Sequence, residues 1–247
     1  MRILLFTDAH YAQGLTTCRT RTCYQSLDKL RRIAAWAGPV DAYLNLGDLI
    51  NDTGDDCANR ENLARAQAAL AALGAPCHSL AGNHDVEVAP RSAFTGREAD
   101  WFSFEGGGLE WLALDCNYTP AGARCAGRGF DWRETALPAA ELDWLGERLA
   151  APGAPVVILS HHPLLGDNAD PHVIRNQEAL AQVVRAARRP VRALLSGHFH
   201  RGAQRALDGI PAPVFPALCE GDACPCALIS AEGGYLKVTA GECPPLK

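Results

Sequence analysis

Five short apolar runs in this chain each end in a small polar motif. Residues 2–7 run into Asp8-Ala9-His10, residues 42–46 into Gly47-Asp48, and residues 77–81 into Gly82-Asn83-His84-Asp85. Residues 156–159 precede His161-His162-Pro163, and residues 191–195 precede Gly197-His198-Phe199-His200. Each run is too short to span a membrane and mostly apolar, the pattern of a buried strand. Helical patterns lie between the runs, at residues 24–37, 58–73, from Pro138 onward, and at 177–187. Strands alternating with helices predict an α/β fold, and ligands gather at the carboxyl ends of such strands.

The rest of the chain adds to that frame. Residues 101–104 and 110–114 predict a hairpin around Gly106-Gly107-Gly108, and residues 116–137 a long polar loop. The strand-like tail at 214–218, 227–230 and 235–239 is expected to complete a second sheet. With no internal repeat and no convincing boundary, residues 1–247 read as one domain. A net charge of -5 argues against binding to a nucleic-acid backbone, which favours a basic face. No run has the length of a membrane span, and Met1-Arg2 leads too quickly into polar residues for a secretory segment, so a cytoplasmic location is expected. The ten cysteines are then expected to be reduced thiols, several of them filling the core. A zinc site from Cys18, Cys23, Cys224 and Cys226 is one alternative, although its spacings match no common finger. Disulfides are another, with Cys116 and Cys125 the nearest pair.

The motifs supply carboxylates, an amide and imidazoles. In an extended segment Asp8 and His10 share one side, so both can reach one ion. Gly47 allows close backbone approach beside Asp48, whose two carboxylate oxygens can bridge two ions. Asn83 adds a neutral oxygen, and His161, His198 and His200 add nitrogens. Such a mixed donor set suits Mn, Fe, Zn, Co or Ni rather than calcium. Two ions about 3.5–4 Å apart can activate a bridging hydroxide and clamp the oxygens of a phosphate. His84 is expected to donate a proton to the leaving oxygen, with Asp85 holding its tautomer. Any one motif could be a turn or a capped core histidine; five in order, each at a strand end, carry the inference.

In this order the motifs resemble the signature of the calcineurin-like metallophosphoesterase superfamily: D-x-H, G-D, G-N-H-D or E, H, and G-H-x-H. The resemblance spans roughly residues 2–201. It implies a four-layer αββα sandwich with mixed sheets and a two-metal site holding divalent transition ions such as Mn, Fe or Zn. Carried over, one ion would take Asp8, His10, Asp48 and His200, and the other Asp48, Asn83, His161 and His198. His162, beside the matching histidine, is expected behind the ligands or facing substrate. The segments around Thr20 to Leu30 and Leu114 to Trp132 are similar to those of phosphodiesterase members, including the ADP-ribose/CDP-alcohol diphosphatase-like group. Those diphosphatases carry Gln where this chain has His10, so their substrate is not transferred.

The expected activity is hydrolysis of a small, nucleotide-like phosphodiester or phosphoanhydride. A phosphomonoesterase or protein phosphatase, a nuclease, and a non-catalytic metal-binding scaffold on the same fold are the alternatives. Loops often carry binding residues, which nominates Arg21, Asn117, Tyr118 and His162 for the substrate, with Tyr11, Arg19 and Arg128 behind them. Phe130 and Trp132 could stack on a base or simply pack.

Overall fold

Strand β1 (Arg2–Phe6) sends successive side chains to opposite faces, and both faces are covered. Leu4 and Phe6 enter one apolar layer, Ile3 and Leu5 another. This is a computed structural model, and it describes residues 1–14 and 20–243. Helix α1 (Ser26–Ala37) presents Leu27, Leu30 and Ile33 to the first layer. Strand β2 (Ala42–Asn45), helix α2 (Asp56–Ala71) and strand β3 (Cys77–Ser79) follow. β1, β2 and β3 pair in parallel, so each return crosses through a helix on the outer face.

Two short helices, α3 (Asn83–Val88) and α4 (Ser92–Thr95), lead to the hairpin of β4 (Phe102–Gly106) and β5 (Leu109–Ala113). Helix α5 (Ala139–Ala150), strand β6 (Val156–Leu159), helix α6 (Gln177–Arg185) and strand β7 (Val191–Leu195) complete a second sheet, ordered β4-β5-β6-β7. Between the two sheets lie Ile3, Leu5, Leu44, Trp111, Val157 and Leu195. Leu112, Ile158, Leu145 and Leu180 form a third layer beneath α5 and α6. Three apolar layers separate helix, sheet, sheet and helix, the sandwich that the resemblance implied.

The tail departs from expectation. After the small ribbon of β8 (Ala206–Leu207) and β9 (Ile210–Pro211), residues 214–218 form no strand. They run past the end of β1, where Leu218 N–H donates to Thr7 O. β10 (Cys224–Glu232) and β11 (Tyr235–Cys243) form a hairpin, and β10 pairs antiparallel with β1. The tail therefore closes the first sheet rather than completing the second. Among the described residues no helix is long and apolar enough to cross a membrane.

The nine described cysteines are free thiols, as expected, and the alternative of a Cys116–Cys125 disulfide is not formed. Cys224, Cys226 and Cys243 pack into the apolar layer under α1, and burial pushes the Cys226 thiol up to about 12. Clusters suited to a metal among the described residues include none of Cys23, Cys224 and Cys226, and Cys18 lies outside the described residues. The filler role fits this packing better than the zinc alternative.

Trp111 is fully buried between the sheets, stacked on Phe104, with its indole N–H donating to Gly106 O. Trp111→Ala is expected to lower the unfolding free energy by about 3–5 kcal/mol in urea titrations. A loss below ~1 kcal/mol would contradict the placement of this core.

Candidate metal centre

The carboxyl ends of β1, β2, β6 and β7 bring four motifs together, and α3 brings the fifth. The backbone leaves the strands in an unusual way. Asp8, His10, Asp48 and His198 all adopt positive φ, at 53°, 46°, 53° and 66°. Non-glycine residues in this region carry strain, and such strain clusters at functional sites. Asp8 and His10 thus converge through two left-handed residues, not through the extended pleat expected from their spacing.

Each carboxylate is held by one oxygen and aimed with the other. Asp8 Oδ2 accepts from Thr7 Oγ1 at 2.6 Å and from His198 N at 2.9 Å. Its Oδ1 is buried without a hydrogen-bond donor, 3.7 Å from His10 Nε2 and 3.4 Å from His200 Nε2. Asp48 Oδ1 accepts from His84 N at 2.9 Å. Its Oδ2 lies 3.3 Å from both His10 Nε2 and His161 Nε2. Oδ2 is therefore the oxygen that faces both groups of imidazoles, because Oδ1 accepts from the first turn of α3. Gly82 makes this approach feasible: a Cβ there would sit 2.1 Å from Asp48 Oδ1.

The imidazoles are oriented from behind. His161 Nδ1 lies 2.9 Å from Leu46 O, so Nδ1 carries the proton and Nε2 turns toward Asp48 and Asn83 Oδ1, 3.2 Å away. His200 Nδ1 faces Glu220 Oε1 at 2.5 Å while its Nε2 lies 3.2 Å from His10 Nε2. His198 Nε2 is buried with no partner. Two groups of atoms result, both touching Asp48. One holds Asp8, His10, Asp48 and His200, with Cys219 and His84 also close to His10; the other holds Asp48, Asn83 and His161, with His198 beside them.

The electrostatics leave this set ready for cations. Burial works against both carboxylates, but the surrounding imidazoles outweigh it and hold Asp8 and Asp48 well below the usual range. Burial pushes His10 down to about 3, and burial with neighbouring imidazoles lowers His198 well below its usual value. Burial also opposes charge on His161, yet Asp48 and Asp8 bring its pKa up to about 9. The proton there answers the negative charge that a cation would otherwise neutralise. Ionised carboxylates, the imidazoles of His10 and His198 with lowered pKa, and the unpartnered Asp8 Oδ1 and His198 Nε2 fit a pair of divalent ions.

Above this set opens a cleft of about 570 Å³, lined by Arg21, His84, Trp132, His198, Phe199 and His200 among others. His84 stands edge-on to His10 with ring centres 4.7 Å apart, and its Nδ1 is 3.3 Å from Glu87 Oε2. Burial lowers the His84 pKa, but Asp48 and Glu87 outweigh it and raise the net value. Asp85 does not serve as the expected orienting partner. Its oxygens accept from the amides of Leu49, Ile50 and Gly82, which ties α3 to the end of β2. Burial and the charge of Asp48 raise its pKa to about 7. The carboxylate nearest His84 Nδ1 is that of Glu87, one helical turn on, in an ion-pair approach, and the i,i+3 spacing was the available signal.

Of the four substrate candidates, only Arg21 lines the cleft, with Nη1 3.2 Å from His10 Nδ1 and 3.0 Å from Asn51 Oδ1. Asn117 is fully buried and donates to Ala81 O and Asp115. Tyr118 turns its hydroxyl to Asp100. Both are drawn inward by buried Arg91, which pairs with Asp115 and donates to Asn117 O. His162 is fully buried against His161 and His198, so it stands behind the donors and not in the cleft. Tyr11 is buried, Arg128 is paired with Asp52 and Asp56, and Arg19 lies outside the described residues. Trp132 sits beside His198 at 5.1 Å and His172 at 5.3 Å. Glu220, twenty residues beyond His200, belongs to no motif and was not foreseen.

Known proteins share this architecture. A dimetal phosphatase from Danio rerio superposes with a TM-score of 0.78 over 97% of this chain and 95% of its own, at 19% identity, a likeness of fold. The cAMP/cGMP dual specificity phosphodiesterase of Mycobacterium tuberculosis is 31% identical over 72% of this chain and 54% of its own length. The 3',5'-cyclic adenosine monophosphate phosphodiesterase CpdA of Escherichia coli K12 is 31% identical over 81% of this chain and 70% of its own. The chain thus spans little more than half of the mycobacterial relative. The family model described as calcineurin-like phosphoesterase matches residues 1–202, the stretch that carries all five motifs, and the chain belongs to that family.

Proposed function

We propose that this chain is a two-metal phosphodiesterase acting on a small nucleotide-like diester, with 3',5'-cyclic nucleotides as the first substrates to test. The observation that carries the reading is Asp48 Oδ2, equally distant at 3.3 Å from an imidazole nitrogen of each donor group. One carboxylate oxygen serving two groups is what a dinuclear centre requires. Bound there, two divalent transition ions supply Lewis acidity to a phosphoryl oxygen and lower the pKa of an attacking water.

Asp8, His10, Asp48 and His200 would hold the first ion, and Asp48, Asn83, His161 and His198 the second. His84, whose pKa Asp48 and Glu87 raise against the effect of burial, would give its proton to the departing oxygen. Arg21 is placed to meet a non-reacting phosphoryl oxygen. Trp132 and Phe199 give the cleft an aromatic wall, which suits a substrate carrying a base. The cyclic-nucleotide phosphodiesterases among its relatives favour the diester over a monoester.

The test is Mn-reconstituted protein assayed on cyclic AMP, bis(p-nitrophenyl) phosphate and p-nitrophenyl phosphate, with metal content read by elemental analysis. Two ions per chain and diester turnover abolished by chelation are expected. Fewer than one ion per chain, or a monoester rate above both diester rates, would refute the reading.

A further inference from the structure

We propose that Glu220 is the positioning residue of the first metal site, acting through His200. The inference rests on the two-metal reading above. Among the described residues, two candidate ligand histidines have an oxygen acceptor at Nδ1: Leu46 O behind His161 and Glu220 behind His200. An acceptor there fixes the proton on Nδ1, leaves the Nε2 lone pair for the ion, and sets the plane of the ring. A carboxylate also makes Nε2 a stronger donor than a carbonyl does. His200 needs this more than His161, because it is only partly buried whereas His161 is enclosed.

A side chain that is 28% exposed can orient another group only if its backbone is fixed. The loop bearing Glu220 is fixed from three sides. Ala217 N donates to His200 O, Leu218 N to Thr7 O and Cys219 N to Asp8 O. The loop thus clasps the backbone of two ligand motifs at once. Thr22 adds its amide and hydroxyl to Cys219 O. From below, Lys29 directs its ammonium at the carbonyls of Leu218 (3.0 Å) and Gly221 (2.6 Å) and at Thr22 Oγ1 (2.9 Å).

Lys29 has no exposed surface and sits on the inner stripe of α1, with Ser26, Leu30 and Ile33. A buried ammonium is costly unless its donors are matched. Here main-chain carbonyls match them, and the matching pins the loop. The chain of placement therefore runs from α1 through Lys29 to residues 218–221, then to Glu220 and His200.

The experiment compares wild type, Glu220→Ala and Glu220→Gln by equilibrium dialysis against Mn2+, with steady-state kinetics on a diester. Glu220→Ala is expected to weaken one of two Mn2+ sites by about 10–100-fold and leave the other unchanged. At limiting Mn2+ its kcat falls more than its KM rises, while the melting temperature of the chelated protein stays at the wild-type value. Glu220→Gln, which keeps an oxygen acceptor for Nδ1–H, recovers most of the lost affinity. Wild-type affinity at both sites in Glu220→Ala, or a glutamine variant no better than alanine, would overturn the role given to Glu220 and leave the proposed function standing. Failure of the wild type to bind two ions would instead remove the two-metal reading and this inference with it.

Discussion

Asp48→Asn is expected to lose both metal ions at micromolar free Mn2+ and to lower kcat/KM by on the order of 10³-fold, about 4 kcal/mol of transition-state stabilisation. Asparagine has nearly the same size, so packing is preserved and the loss is chemical. One effect is the missing negative charge between two groups of donors. The other is a conflict that neither amide orientation avoids. With its NH2 at the Oδ1 position, the amide meets the His84 N–H that Oδ1 now accepts. With its NH2 at the Oδ2 position, it turns a donor toward both sites, where His10 and His161 stand 3.3 Å away. Elemental analysis and kinetics read the result together. Two retained ions, or more than a tenth of wild-type kcat/KM, would show that Asp48 is not the shared ligand.

His84→Ala is expected to behave in the opposite way, keeping both ions and losing about 10²–10⁴-fold in kcat on a substrate with an alkoxide leaving group. His84 touches the donor set through its backbone amide, which alanine retains, while its ring faces the cleft. The leaving group makes the prediction specific. Expelling a ribose oxygen requires a proton in the transition state; expelling p-nitrophenolate hardly does. The variant should therefore lose much more on cyclic AMP than on bis(p-nitrophenyl) phosphate. Equal losses on both would remove the proton-transfer role. Loss of one ion would make His84 a ligand, since it lies within reach of His10 and Asp48.

The α/β class was legible because β1, β2, β6 and β7 are short, mostly apolar and separated by helical patterns, and the order of the motifs, through the family resemblance, pointed to the sandwich. The placement of the motifs followed for the same reason: a strand that ends in Gly-Asp or Gly-His delivers that residue to one edge of its sheet. Longer-range choices were not legible. β10 carries an apolar pattern that either sheet could accept, and pairing with β1 decided it. Asn117 and Tyr118 looked like polar loop residues, but Arg91, remote in sequence, draws them inward. Spacing could place Asp48 between two sites but not tell which oxygen is shared, because that depends on the amide of His84. Glu220 was invisible for a related reason: it lies in no motif, and its position is set by hydrogen bonds from Lys29 and Thr22 to its own loop.

The left-handed backbone at Asp8, His10, Asp48 and His198 has a consequence for how ions are acquired. Each such residue costs about 1–3 kcal/mol and persists only because the surrounding structure over-determines it. The fold thus gathers these donors through its own backbone. Capture then needs little rearrangement, and release need not pass through unfolding. On the two-metal reading, a cage that is preorganised in this way would let its ions exchange while the protein stays folded, and the supply of metal around the protein would then help to choose which ions occupy it.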